Sequence, residues 1–476
     1  MTDKNTAPCP NFRKCGGCQL QNLPYSEQLL HKQRQLVSLL GEFCHVNDII
    51  GMDEPTHYRN KVCAALGLDR QRHIISGIYQ TGSHSIIPVD ECMIEDKISD
   101  SIIVDIRNML RGFKIQAFDE RSGTGWLRHV LVRRGFQSGQ VMVVLVAVSP
   151  IFKLQKPFLK KLTELHPEIT TVVLNVNDRF GPVVLGSREK VLLGDGYIED
   201  SLLGLRFRIS PRSFYQINPV QTERLYSIAI EMAGLTGKEL VLDAYCGVGT
   251  IGLCAAGKAE QALGVELNRD AVKDAIINAK LNGIKNCWFA AGDAGKYMED
   301  MSTGGKRPDV VFMDPPRSGS SPQFLSSLLR AAPKRIVYIS CGPDSLRRDL
   351  DVLVSGGYRV SRIQPVDMFP YTNHVETVCL LSKLHSDQHI EVELKMDELD
   401  LTAAESKATY EEIKDYVLEH NGLKVSNLYI AQVKQKCGII ERINYNLPKS
   451  ENSRQPKCPP EKEAAIREAL EHFRMI

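Results

Sequence analysis

The chain has 476 residues, 43% of them hydrophobic and 24% charged, and a formal net charge of +2. That balance supports buried cores and excludes wholesale disorder. It also excludes a global basic field, so any nucleic-acid site must be a local patch.

No apolar run approaches the ~20 residues of a helical membrane span. The longest compact one, 141–148, closes at Ser149-Pro150. Met1-Thr2-Asp3-Lys4-Asn5 leads into no apolar stretch, so a cytoplasmic protein without a signal peptide is expected. In that compartment, 13 cysteines argue for metal ligation or thiol catalysis over a disulfide framework.

Residues 1–20 are too short for a domain and carry Cys9, Cys15 and Cys18 in a C-x5-C-x2-C run. Cysteines this close predict a metal, and zinc or a four-iron cluster would take the thiolates equally well. Residues 21–57 read as a helical segment, with Leu29, Leu36, Leu39 and Leu40 set among Gln, Lys and Arg. Residues 58–208 read as a β-rich central domain, with runs such as Val172-Val173-Leu174-Asn175-Val176 broken by Gly and Ser turns.

In 209–384 the pattern becomes strand, turn, helix, repeated. Apolar runs at 240–243, 263–266, 287–290, 309–313 and 335–340, with helical stretches such as 270–281 between them, predict parallel strands joined by crossovers. The last two runs, 358–366 and 374–383, are separated by 367–373 alone. A parallel crossover needs a dozen or more residues, so these two are expected to pair antiparallel. Six parallel strands would suit a nicotinamide-binding fold. A final antiparallel strand marks instead the seven-stranded mixed sheet of the class I S-adenosylmethionine-dependent methyltransferase fold.

Residues 385–476 read as a small α-rich extension, acidic up to Glu419 and basic from His420 to Pro460. Helices are expected over 410–418, 425–435 and 460–473, and a strand over 439–445. Leu428 and Val433 are expected to face inward, and Lys434 and Lys436 outward. This order is compatible with a winged-helix-like unit.

Asp243-Ala244-Tyr245-Cys246-Gly247-Val248-Gly249-Thr250 predicts a strand entering a glycine turn and then a helix. Acids end the next two strands, Glu266 and Asp293, and a carboxylate there is placed for a ribose. NAD and S-adenosylmethionine both carry an adenosine, and both fit. Asp314 ends the fourth strand, held at the rim by Pro315 and Pro316. Cys341 ends the fifth, ahead of a helix starting near Pro343, and a helix N-terminus is expected to lower its thiol pKa. Cys254, Cys287 and Cys379 read as inert structural cysteines. Glu376 reaches the same rim by topology: the sixth strand ends there, the connecting loop stays there, and the seventh begins there.

These segments resemble the RNA uracil-5-methyltransferase family. The resemblance rests on Phe214-Tyr215-Gln216-Ile217-Asn218-Pro219, the 243–250 loop, Asp314-Pro315-Pro316-Arg317, Ser340-Cys341-Gly342-Pro343 and Met368-Phe369-Pro370-Tyr371-Thr372-Asn373-His374-Val375-Glu376, in the family's order. Gly342 stands where the family usually has Asn. The resemblance implies S-adenosylmethionine as cofactor, contacted by Gln216, Tyr245, Thr250, Glu266, Asp293 and Asp314. It implies Cys341 as the nucleophile at carbon 6 of uracil and Glu376 as the base at carbon 5. The substrate is then an unstacked uridine in RNA, with 23S rRNA expected. A transfer RNA, or a different substrate class, is the alternative. The resemblance further implies a 4Fe-4S cluster on Cys9, Cys15, Cys18 and the distant Cys92, ahead of Cys44 or Cys63. A structural cluster is expected, since the C-x3-C-x2-C of radical enzymes is absent. Two basic segments, Tyr58-Arg59-Asn60-Lys61 and Leu127-Arg128-His129-Val130-Leu131-Val132-Arg133-Arg134, are candidates for gripping RNA phosphates. A monomer is expected.

Overall fold

The computed structural model describes residues 9–384 apart from 121, 180 and 182, together with 410–437, 458–473 and 475. The chain divides into two units, Met1–His385 and Ser386–Ile476.

In the first unit, α1 (Phe12–Cys15) and α2 (Tyr25–Leu40) lead into a seven-stranded sheet. Its elements are β1 (Lys61–Leu68), β2 (Ile74–Tyr79), β3 (Ile86–Pro88), α3 (Lys97–Leu110), β4 (Leu127–Arg134), β5 (Val141–Ala147), α4 (Gln155–Leu165), β6 (Ile169–Val176) and β7 (Arg188–Leu193). The order across the sheet is β3-β2-β1-β4-β5-β6-β7. All neighbours are antiparallel except β5 and β6, which are parallel and joined by α4. On one face of β5, Val141, Val143 and Leu145 meet Ile102, Ile106, Phe158 and Leu162 of the helices. On the other, Met142, Val144 and Val146 join a core shared with the second sheet. Burial on both faces explains why β5 is apolar throughout instead of alternating.

α3 and α4 interrupt a region whose sequence reads as strands. Asp96 starts α3 by accepting a hydrogen bond from Ser99 N at 2.9 Å. Ile102, Ile103, Ile106 and Leu110 then recur on one helical face and are buried.

A hairpin of β8 (Ile198–Leu202) and β9 (Leu205–Ile209) links the two sheets. Its Leu203-Gly204 turn has φ of 49° and 79°, as a two-residue hairpin loop requires.

The second sheet comprises α5 (Pro219–Ala233), β10 (Leu240–Ala244), α6 (Thr250–Ala256), β11 (Gln261–Glu266), α7 (Arg269–Leu281), β12 (Cys287–Ala291), α8 (Ala294–Thr303), β13 (Val310–Met313), α9 (Pro322–Ala331), β14 (Arg335–Ser340), α10 (Pro343–Ser355), β15 (Tyr358–Val366) and β16 (Glu376–Lys383). Its order is β12-β11-β10-β13-β14-β16-β15. β10 to β14 are parallel, and β16 runs antiparallel between β14 and β15. This is the seven-stranded sheet of the class I methyltransferase fold. α2 belongs to its core, where Leu36 and Leu40 are buried with Ile336, Leu350 and Tyr358. The chain after α2 forms parallel bridges to β15 at Val46–Ile363 and Ile50–Val366, which covers the outer edge.

In the second unit, α11 (Tyr410–Asn421), α12 (Asn427–Lys436) and α13 (Pro460–His472) bury Ile413, Val417, Ile430, Val433, Ile466 and Leu470 together. The expected faces of α12 need correction. Leu428 is exposed and Lys434 is buried, because Ile430 and Val433 set the inward stripe. Lys434 lies over the Tyr410 ring, 4.4 Å from its centroid. The strand expected over 439–445 lies outside the described residues. Among the described residues, no helix is long and apolar enough to cross a membrane.

Candidate active site

The turn after β10 is built by backbone that few residues adopt. Tyr245, Gly247 and Gly249 have φ of 67°, 55° and 84°. A Cβ on Gly249 would meet the Phe289 ring at 2.7 Å, so close packing and left-handed backbone both demand glycine there. Asp243 ties the turn from beneath: its Oδ2 accepts from Gly252 N at 2.7 Å, while Oδ1 has no partner. Burial raises its pKa to about 8. Glu266 ties the turn from β11, accepting from Gly247 N at 3.1 Å and from Asn268 N at 2.7 Å.

A cavity of about 540 Å³ opens over this turn at the carboxyl ends of the strands. Gln216, Tyr245, Thr250, Glu266, Asp314, Cys341 and Glu376 all line it. Asp293 does not. It caps α8, accepting from Lys296 N at 2.9 Å, and lies within electrostatic range of Tyr245. Residues without a separate role in the sequence also line it, including Phe214, Tyr226, Arg317 and Phe369. Tyr226 Oη accepts from Thr250 Oγ1 at 3.5 Å, and the Gln216 side chain acts on the same phenol, which links two expected cofactor contacts. Only the helical position of Tyr226 on α5, just after the Gln216 motif, hinted at it.

Register brings the reacting groups together. Ser340 of β14 is the partner of Thr377 of β16, so the next antiparallel pair places Cys341 opposite Glu376. Met313 pairs with Tyr338, which sets Asp314 on the neighbouring strand end. Glu376 is 3% exposed, and its Oε2 has no hydrogen-bond partner. Burial pushes its pKa well above the usual carboxylate value, Asp314 adds to the rise, and Arg317 opposes it. Burial also pushes Asp314 up to about 7.

The thiol departs from expectation. Burial first, then Glu376 and Asp314, raise Cys341 to about 11 against the opposing Arg317. The start of α10 does not outweigh desolvation and two nearby carboxylates. Gly342 also has a structural reason: a Cβ there would meet Arg317 O at 2.9 Å and Ser345 Oγ at 2.7 Å. Ser345 Oγ donates to Arg317 O at 3.0 Å, which locks the two loops against each other.

The residues fit S-adenosylmethionine. The lining holds three carboxyl groups, Glu266, Asp314 and Glu376, against one guanidinium, Arg317, and a cationic ligand would draw the raised Asp314 and Glu376 back toward their ionised forms. The cavity volume suits a small cofactor.

Cys9, Cys15, Cys18 and Cys92 are half-buried free thiols. Burial, with Cys15 and Cys9 adding, raises Cys18 to about 11. Burial raises Cys92 to about 12 with Glu95 adding, and Glu95 also acts on Cys15. Tyr58 feels both Cys18 and Cys92. Cys9, Cys15 and Cys18 thus act on one another, Cys92 is linked to them only through Tyr58 and Glu95, and soft thiol donors suit iron. As placed, no group of three or more His, Cys, Asp or Glu side chains among the described residues is arranged to hold a metal ion.

The basic segments are largely internal. Arg128, His129 and Arg133 are buried, with Arg128 donating to Asn177 O and Arg179 O and Arg133 to Ser213 O. The expectation that the 127–134 segment grips phosphates is corrected at these positions, because β4 is covered on both faces. Cys287 and Cys379 are buried as expected, whereas Cys254 is half-buried.

The sequence profile of the tRNA (uracil-5-)-methyltransferase family matches residues 24–384. An uncharacterized RNA methyltransferase of Halalkalibacterium halodurans is 44% identical over 384 residues, covering 80% of this chain and 84% of that one. One of Clostridium acetobutylicum is 42% identical over 389 residues, covering 80% and 84%. The crystal structure of Pyrococcus abyssi tRNA (uracil-54, C5)-methyltransferase with S-adenosyl-L-homocysteine matches with a TM-score of 0.65 at 28% identity, covering 77% of this chain and 85% of that one. The chain therefore belongs to the tRNA (uracil-5-)-methyltransferase family of S-adenosylmethionine-dependent RNA methyltransferases.

Proposed function

We propose that the enzyme methylates carbon 5 of a uridine in 23S rRNA through a covalent bond between Cys341 and carbon 6 of the uracil. The observation that carries this reading is that Cys341 and Glu376 face each other in the cavity that also holds the cofactor residues. Carbon 5 of uracil is a weak nucleophile. Cys341 gives its proton to water, and attack of the resulting thiolate at carbon 6 sends the ring electrons to the carbon 4 oxygen and makes carbon 5 nucleophilic. S-adenosylmethionine, when bound, supplies an electrophilic methyl group. Gln216, Tyr245, Thr250, Glu266 and Asp314 hold the cofactor, and Asp293, outside the cavity lining, acts on Tyr245 through its charge.

Glu376 then removes the carbon 5 proton. The electron pair reforms the carbon 5–carbon 6 double bond as the bond to Sγ breaks, and the thiolate leaves. Burial makes Glu376 a stronger base than an ordinary carboxylate, which suits that task near neutral pH. Arg317 balances the charge of Glu376 and Asp314. The target must be unstacked to enter, and Phe214, 63% exposed at the mouth, offers a stacking face.

Cys9, Cys15, Cys18 and Cys92 ligate a structural 4Fe-4S cluster, and this cysteine set favours a ribosomal target. A transfer RNA is the second reading, favoured by the likeness to the Pyrococcus abyssi enzyme. Mass spectrometry of nucleosides from separated ribosomal and transfer RNA, with and without the protein in the cell, tests the proposal. Loss of 5-methyluridine from 23S rRNA is expected. Loss from transfer RNA alone supports the second reading, and no loss from either rejects both.

A further inference from the structure

The carboxylate read as the base has little holding of its own, since Glu376 Oε2 is buried without a partner. Glu376 opens β16, where it pairs with Val366 of β15, and it follows directly on the 367–375 loop that leads into that strand. Residues far earlier in the chain fasten that loop. Asp367 Oδ1 accepts from Lys32 Nζ at 2.6 Å and Oδ2 from Tyr25 Oη at 2.8 Å. The Lys32 and Asp367 side chains are both fully buried. Lys32 Nζ also donates to Phe369 O at 3.1 Å, and Gln28 Oε1 accepts from Tyr371 N at 2.9 Å. Tyr58 Oη donates to Pro370 O at 3.0 Å, and Gln19 N and Leu20 N donate to Tyr371 O at 3.0 and 2.9 Å. Tyr371 has φ of 68°, a left-handed conformation that a bulky aromatic keeps only where its surroundings over-determine it.

Docking of α2 does not require this. Leu36 and Leu40 already bury its apolar face. An ion pair out of water holds two elements together no better than well-packed apolar side chains. What the pair adds is direction: one ammonium with fixed acceptors sets the loop at Asp367 and Phe369, and Gln28 sets it again at Tyr371.

We propose that Lys32, with Tyr25 and Gln28, is a positioning residue for Glu376, holding the loop so that the base meets the carbon 5 proton. The inference rests on Glu376 being the base. Its signature is therefore a split between two steps: formation of the covalent adduct should survive loss of the clamp, and release should not.

The test follows adducts formed by the full-length protein with S-adenosylmethionine and RNA containing the target uridine. Glu376→Gln serves as the reference, which traps the adduct if Glu376 is the base. Tyr25→Phe, Gln28→Met and the double variant Lys32→Met/Asp367→Asn each loosen the clamp, the last without leaving an unpaired buried charge. Each should form adduct at close to the unmodified rate and release it on the order of 10- to 100-fold more slowly. The kcat should fall while KM for RNA stays constant. Leu162→Ala, which weakens the core under α4, should leave the balance of the two steps unchanged. Release at the unmodified rate in the clamp variants, or a parallel loss of both steps, overturns the inference while Glu376→Gln still traps. If Glu376→Gln itself releases normally, the base assignment fails and the clamp falls with it.

Discussion

Cys341 should react slowly in the RNA-free enzyme. Its thiol is raised from an ordinary 9.0 to about 11, burial being the largest cause. At pH 8, a rise of that size leaves about a hundredfold less thiolate, because each unit is tenfold. The thiolate that does form is the better nucleophile, and on a Brønsted slope of about 0.4–0.5 that returns roughly eightfold. Alkylation by iodoacetamide should then run roughly tenfold slower than at an ordinary cysteine. Quantifying the Cys341 peptide by mass spectrometry across pH gives the rate, which should still be climbing past pH 9.

The neighbours fix the direction of each variant. Glu376→Gln and Asp314→Asn each remove a charge that opposes the thiolate, so each should shift the profile to lower pH. Arg317→Gln removes the opposing cation and should shift it higher. A midpoint at or below the ordinary value, with neither amide variant moving it, would refute this electrostatic account. It would restore the start of α10 as the dominant influence. A neutral resting thiol also has a functional sense: thiolate character governs oxidation, so the nucleophile is protected until a pyrimidine lies against it.

RNA carrying 5-fluorouridine should form a stable adduct that disappears in Cys341→Ala, since fluorine cannot leave as a cation; turnover by that variant rejects the covalent mechanism. Protein purified without air should be brown, and replacing Cys9, Cys15, Cys18 or Cys92 should bleach it while Cys44→Ser and Cys63→Ser do not; colourless protein with stoichiometric zinc sinks the cluster assignment. Asp243, raised to about 8 by burial, favours the folded state when protonated, so its contribution is present in acid and is lost as pH climbs through about 8. Asp243→Asn should therefore show a smaller fall in Tm from acidic to alkaline pH than the unmodified protein, and an equal fall counts against the assignment. Gly249→Ala forces a Cβ against the Phe289 ring at a φ of 84°. It should cost on the order of 1–3 kcal/mol in urea denaturation and weaken S-adenosylmethionine binding in calorimetry.

The second sheet was legible because each of its signals is local. A glycine turn, an acid at a strand end and a loop too short for a crossover each fit within a dozen residues, and together they place Cys341 and Glu376 on one rim. The thiol's electrostatics was not legible, since it sums two carboxylates, Asp314 after β13 and Glu376 of β16, with the desolvation of a cavity. No window of sequence holds that sum, and the local cue, a following helix, pointed the other way. α3 and α4 were missed for a different reason: their apolar positions satisfy a helical period, but the β-branched residues around them favour strands until the sheet claims its own. Lys32 is the sharpest case. In a segment rich in Gln, Lys and Arg it reads as solvated, and its helix does bury an apolar stripe elsewhere. Its partner Asp367 lies 335 residues away. The outer edge of the second sheet brings the two together, because β15 ends at Val366 beside the chain that leaves α2. A buried ion pair leaves no mark in either stretch alone. Only the topology that creates the active-site rim also creates the contact that holds its final loop.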